Sequence, residues 1–135
     1  MNFRKKINQF CWIFVCLGCV LLGSTAQAAR LGALSVDSAL GQPLSASIKV
    51  FEARDLTEQM VVISMASPSS YDALGLIYND LIPRIVLRYE NATQGPIIYL
   101  STDAPVNEVV IDLHVELITS SQTISKTFVA FLDPP

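Results

Sequence analysis

Residues 29–135 predict an all-β domain, an antiparallel sandwich with one or two short helices. Three observations lead there. Apolar residues in this stretch recur mostly at every second position, the period of a strand. Turn-forming clusters punctuate the chain about every 8–12 residues. The stretch is one domain long and large enough to bury a core without staples.

The elements follow in order. In "LGALSVDS", Leu31 and Ala33 begin a strand that continues through Leu34 and Val36, and "ALGQP" turns the chain at Gly41 and Pro43. "LSASIKVFE" alternates cleanly, with Leu44, Ala46, Ile48 and Val50 on one face and Ser45, Ser47 and Lys49 on the other. "RDLTEQ" reads as a short helical turn capped by Asp55, with Glu58 three residues on as a capping box requires. "MVVISMA" then reads as a fully apolar, buried strand.

"SPSSYDALG" spells a helix of one or two turns: Ser67 at the N-cap, Pro68 at the first helical position and Gly75 as the left-handed stop. "LIYNDLIP" is irregular with apolar anchors. "RIVLRYE" and "PIIYLST" flank "NATQG" as a hairpin, and "EVVIDLHVELIT" and "TISKTFVAFLD", joined by "SSQ", form a second and longer one. About seven strands in this arrangement suit an immunoglobulin-like topology, with a small barrel as the alternative.

The first 28 residues have a different composition. Arg4, Lys5 and Lys6 precede an apolar run of about 14 residues, short of the roughly 20 that span a bilayer. Ala26-Gln27-Ala28 supplies a small-x-small ending, so residues 1–28 read as a secretory signal peptide cut between Ala28 and Ala29. The expected compartment is the periplasm, with no membrane span after cleavage. Cys11, Cys16 and Cys19 all leave with this segment, so residues 29–135 have neither disulfides nor thiolate ligands. Three positive charges leave as well, which takes the net charge from −3 to −6. An acidic domain without a basic cluster is a poor partner for nucleic acid or anionic lipid.

Chemistry-bearing residues are few. The chain's one histidine, His114, stands in Asp112-x-His114-x-Glu116. Alternation puts Val109, Ile111, Leu113, Val115 and Leu117 on a core face and Val110, Asp112, His114 and Glu116 on a face in water. Residues two apart on a strand can converge on a metal, but no second histidine and no cysteine completes a site. The favoured expectation is a solvated strand face, with a pH-sensitive surface spot as the functional remainder. Asp103 and Glu108 fall in a loop as an ordinary solvated pair, and no nucleophile elbow or glycine-rich phosphate loop occurs. The sequence therefore predicts no catalytic residue, no cofactor and no metal.

A binding surface is the better prospect. Phe51 falls on the polar face of its strand, and Tyr71, Tyr78 and Tyr99 lie in or beside irregular segments; exposed aromatics stack on sugars or anchor protein interfaces. Val110 and Val86 interrupt otherwise polar faces, which points to cover by a helix or a partner. Phe51, Tyr71, Tyr78, Tyr99, Val110 and His114 are thus the candidate interaction residues. The competing expectation is that the aromatics close the edges of a small sandwich.

Three stretches together, "LGALSVDSALGQPLSASIKV", "MASPSSYDALGLIYN" and "PVNEVVIDLHVEL" through "FVAFLDPP", resemble the N-terminal periplasmic domain of the FimV family. "SALGQPL" and "FLDPP" are the most specific parts. The resemblance implies a bacterial envelope protein that supports type IV pilus assembly, twitching motility or organisation of the cell pole, and it brings no catalytic residues. Family members continue into a linker, a peptidoglycan-binding LysM domain, a membrane span and a cytoplasmic region. This chain stops at Pro135, so peptidoglycan binding through that module is not carried over. Val109-Val110 stand where the family has Pro-Phe, and His114 stands where an apolar residue is expected. The expected function is a non-catalytic protein-interaction module working with pilus or secretion machinery. The alternative is a glycan-binding module, with peptidoglycan held by exposed aromatics.

Overall fold

Seven strands pair antiparallel in two sheets in the computed structural model, which describes residues 28–53 and 56–135. The expected export segment, apart from Ala28, and the expected cap Asp55 lie outside the described residues. Strands β1 (Arg30–Val36), β2 (Pro43–Phe51), β5 (Gly95–Pro105) and β4 (Val86–Ala92) form one sheet in the order β1-β2-β5-β4. Strands β3 (Val62–Met65), β6 (Val110–Ile118) and β7 (Thr123–Phe131) form the other, in the order β3-β6-β7. Four strands facing three in this order is the immunoglobulin-like arrangement of the constant type.

The alternation foreseen in β2 holds: Leu44, Ala46, Ile48 and Val50 are buried. They share the core with Ile98 and Leu100 of β5 and with Ile111, Leu113, Val115 and Leu117 of β6. Fully burying each such aliphatic side chain contributes about 1.5–3 kcal/mol, so this layer holds the two sheets together. Both hairpins form where turn chemistry puts them, the first closing at Ala92 and Gly95, the second at Ile118 and Thr123.

β1 departs from simple alternation. Its register against β2 slips between Leu31 and Leu34, a bulge that turns Ala33 outward and brings Leu34 and Val36 back toward the core. Gly32 sits in the bulge with the Phe51 ring so close that an added Cβ would lie 2.6 Å from it. Lys126 of β7 reaches across the sandwich and donates to the Leu31 and Gly32 carbonyls at 3.4 and 3.2 Å. It does so with its ammonium 5.2 Å from the Phe128 ring centroid. A second slip lies between Pro43 and Ser45, where Thr102 takes over: its hydroxyl accepts from the Leu44 amide at 2.8 Å and donates to the Ala104 carbonyl at 2.9 Å.

Helix α1 (Pro68–Leu74) forms as its caps require: Ser67 Oγ accepts from the Ser70 amide, and Gly75 adopts φ 68°. Two segments correct the sequence expectation. The turn near Glu58 is a single 3-10 turn, Glu58–Met60, entered from Thr57 without a side-chain cap. "MVVISMA" is not a buried strand: β3 is four residues long, lies at a sheet edge and exposes 61% of Val62. An apolar run has no parity, so the sequence could not tell an edge from a centre here.

Candidate functional site

The region around β6 is built from the place where β3 stops. After Met65, which pairs with Val115, only the Ala66 amide continues the ladder, donating to the His114 carbonyl at 2.9 Å. The chain then turns into α1, and the His114 amide and Asp112 carbonyl lose their strand partner. Tyr71 replaces it. Its hydroxyl accepts from the His114 amide at 2.9 Å and donates to the Asp112 carbonyl at 3.1 Å. Burial raises the phenol above its ordinary pKa, the His114 hydrogen bond opposes that shift, and the nearby Tyr78 and Asp112 add to it.

Two sequence expectations fall with this geometry. Tyr71 is 0% exposed and cannot be a surface aromatic. His114 is not on a wet face but 8% exposed, its ring edge-on to Tyr71 and its Nδ1 2.8 Å from the Thr127 hydroxyl. Alternation assigns a side chain to a face but does not say what covers that face, and here α1 does. The Asp-x-His-x-Glu motif does not converge as ligands either: Asp112 Oδ2 accepts from the Ile77 amide at 3.2 Å. Among the described residues no three His, Cys, Asp or Glu side chains gather as a metal ion would need.

Beyond the helix, the Val110–Phe131 end of the outer face of β6 and β7 is apolar and open. Val110 pairs with Phe131, and Val129 pairs with Asp112 one step along. Val110, Val129 and Phe131 are all exposed, Phe131 to 64%; Val109, expected on the core face, precedes β6 and is exposed as well. Ile77, 72% exposed, is tied beside them by its amide bond to Asp112. Val110 was a candidate in the sequence; Val129, Phe131 and Ile77 were not. "FVAF" reads as core on both parities, since Phe128 and Ala130 are buried while Val129 and Phe131 alternate outward.

The remaining candidates lie elsewhere. Tyr78 is partly exposed and meets Tyr71 edge to face with centroids 5.1 Å apart. Phe51 and Tyr99 are on the opposite sheet, each with an arginine over its ring: Arg30 at 5.0 Å and Arg88 at 5.1 Å. Tyr99 borders a depression of about 340 Å³ with Ser45, Val86, Arg88 and Ser101. The candidate aromatics are therefore divided between the four-stranded sheet and the α1 region, not gathered on one concave face. Asp103 belongs to the end of β5 and not to a loop, and Glu108 lies beyond that strand's end. No helix among the described residues is long and apolar enough to cross a membrane.

Comparison with known proteins adds the ancestry. Residues 29–135 match the model of the FimV N-terminal Ig-like domain. Two curated relatives, each a "Motility hub protein FimV" of Pseudomonas aeruginosa, from strains PAO1 and UCBPP-PA14, are similar. Each is 31% identical over 120 residues, covering 86% of this chain and 13% of the relative. The chain thus spans 13% of the length of those relatives.

Proposed function

The chain belongs to the FimV N-terminal domain family, and from that membership we propose a non-catalytic protein-interaction module of the bacterial envelope, exported to the periplasm and associated with type IV pilus assembly, motility or secretion-system organisation. The observation that supports it is the patch of Val110, Val129 and Phe131 on the outer face of β6 and β7. Contiguous exposed apolar surface on a small domain marks a place where another protein sits, and aromatic and aliphatic anchors supply most of the energy of such contacts. The relatives' name, motility hub protein, suits a domain that works by holding partners.

The test is made in the bacterium that carries the protein. Replacing Val129 and Phe131 together by serine is expected to abolish or strongly reduce surface motility while the protein's level and melting temperature stay unchanged. Normal motility with that double variant would sink the reading. Glycan binding is the second reading, and the depression beside Tyr99 favours it. Its sign would be pelleting with isolated peptidoglycan that soluble glycan fragments compete away and that Tyr99→Ala abolishes.

A further inference from the structure

β3 has one partner, β6, and its other side is open. The direction of its main-chain groups follows from the ladder. Ala66 donates to His114, so Ser64 and Val62, at the same parity, turn their N–H and C=O groups toward β6. Those of Ile63 and Met65 consequently point away from β6. No other hydrogen bond reaches them among the described residues, although both residues are half-buried. Main-chain groups along an open strand edge are a template for pairing, and only another main chain satisfies them in series.

Alongside that edge runs a cleft of about 430 Å³ between the two sheets, lined by Ile63, Met65, Tyr78, Ile82, Ile85 and Leu87 among others. None of its lining side chains is charged. We propose that this edge receives an extended strand from a protein partner, added beside β3 with its alternate apolar side chains in the cleft; this deepens the interaction-module reading and rests on it.

The chemistry of the occupant follows from the walls. The inserting stretch matches β3, about four residues, and carries no charge, because no charged side chain lines the cleft to pair with one. Basic residues flank it, because the domain carries a net charge of −6 once Arg4, Lys5 and Lys6 have left the chain's −3. The same acidity sets a second copy of this chain against itself as occupant.

A phage-displayed library of random dodecapeptides, selected on the immobilised exported protein (residues 29–135), tests this, with the enriched sequences remade as free peptides for calorimetry. Expected are peptides alternating apolar residues between basic flanks. Their affinity falls at least tenfold on Ile63→Pro, which removes a free-edge N–H and leaves the β6 ladder intact. A comparable loss is expected on Met65→Lys, which puts a charge into the cleft, and on N-methylation of alternate peptide residues. Phe131→Ser should leave binding unchanged. If Ile63→Pro does not fold, Met65→Lys and the methylated peptides still decide.

Four outcomes overturn the proposal: no enriched peptide, binding indifferent to both edge variants, binding lost on Phe131→Ser alone, or a homodimer that Ile63→Pro dissociates. Loss on Phe131→Ser alone would leave the interaction-module reading standing on the apolar patch. That broader reading fails separately, if the Val129 and Phe131 double variant keeps normal motility.

Discussion

Tyr71 and His114 are joined twice: the His114 amide donates to the Tyr71 hydroxyl at 2.9 Å, and the two rings meet at 85° with centroids 6.4 Å apart. One phenol thereby stands in for the strand residue that β3 does not supply. Tyr71→Phe keeps the ring and removes both hydrogen bonds, stranding a buried amide and the Asp112 carbonyl. A loss of about 1–3 kcal/mol is expected, read as a lower denaturation midpoint with an unchanged slope. A midpoint equal to wild type would show that the hydroxyl is dispensable.

The alkaline limb of stability should carry the mark of two phenols. Burial lifts both Tyr71 and Tyr89 above the ordinary tyrosine value. Below about pH 10 each is neutral in the folded and the unfolded chain, and no dependence arises. As pH rises further the unfolded chain ionises first, so stability falls until the raised folded values are passed. Stability measured from pH 9 to 12 should decline for wild type and decline less steeply for Tyr71→Phe.

Tyr89 differs from Tyr71 in one respect: its buried hydroxyl has no hydrogen-bond partner among the described residues. Tyr89→Phe is therefore expected to be neutral or to stabilise by up to about 1 kcal/mol at pH 7, the opposite sign to Tyr71→Phe. A clear destabilisation in thermal melts would mean that the hydroxyl is bonded after all.

Gly32 is small because of what lies over it. An added Cβ would meet the Phe51 ring at 2.6 Å and the Lys49 carbonyl at 2.9 Å. Gly32→Ala should destabilise by about 1–3 kcal/mol, as overpacking does. Adding Phe51→Ala should recover only part of that, since the ring can be removed but the carbonyl cannot. Full recovery in the double-mutant cycle would contradict the contact with the backbone.

Lys126 points inward from an edge strand, a device that discourages edge-to-edge pairing. Lys126→Met is expected to remove the clip on the β1 bulge and to raise self-association with concentration. Sedimentation velocity would detect this, and a strictly monomeric variant at high concentration would argue that the clip is only local.

The sheet arrangement was legible because β2, the β4–β5 hairpin and the β6–β7 hairpin announce themselves by alternation and turns, and the caps of α1 by residue type. The functional surfaces were less legible. Ile63 and Met65 sit in a run where only Ser64 breaks the apolar sequence, too little to set parity, and Val129 and Phe131 alternate with the equally apolar Phe128 and Ala130. His114 and Tyr71 were misplaced for a related reason. Covering of the β6 outer face depends on where α1 lands, a contact across more than forty positions that no local pattern encodes.

The strand order has a kinetic corollary. β1–β2, β4–β5 and β6–β7 are neighbours along the chain, and each can zip up by itself. The β2–β5 and β3–β6 pairings join distant segments, and until both close the aliphatic core stays in water. Loop closure of that kind precedes its reward, which places such topologies among those that fold in milliseconds to seconds. The barrier is expected at the closing of Ile48 against Ile98 and Met65 against Val115, with the β4–β5 hairpin already formed, so truncating those residues and weakening that turn should both slow refolding in stopped-flow measurements more than they hasten unfolding.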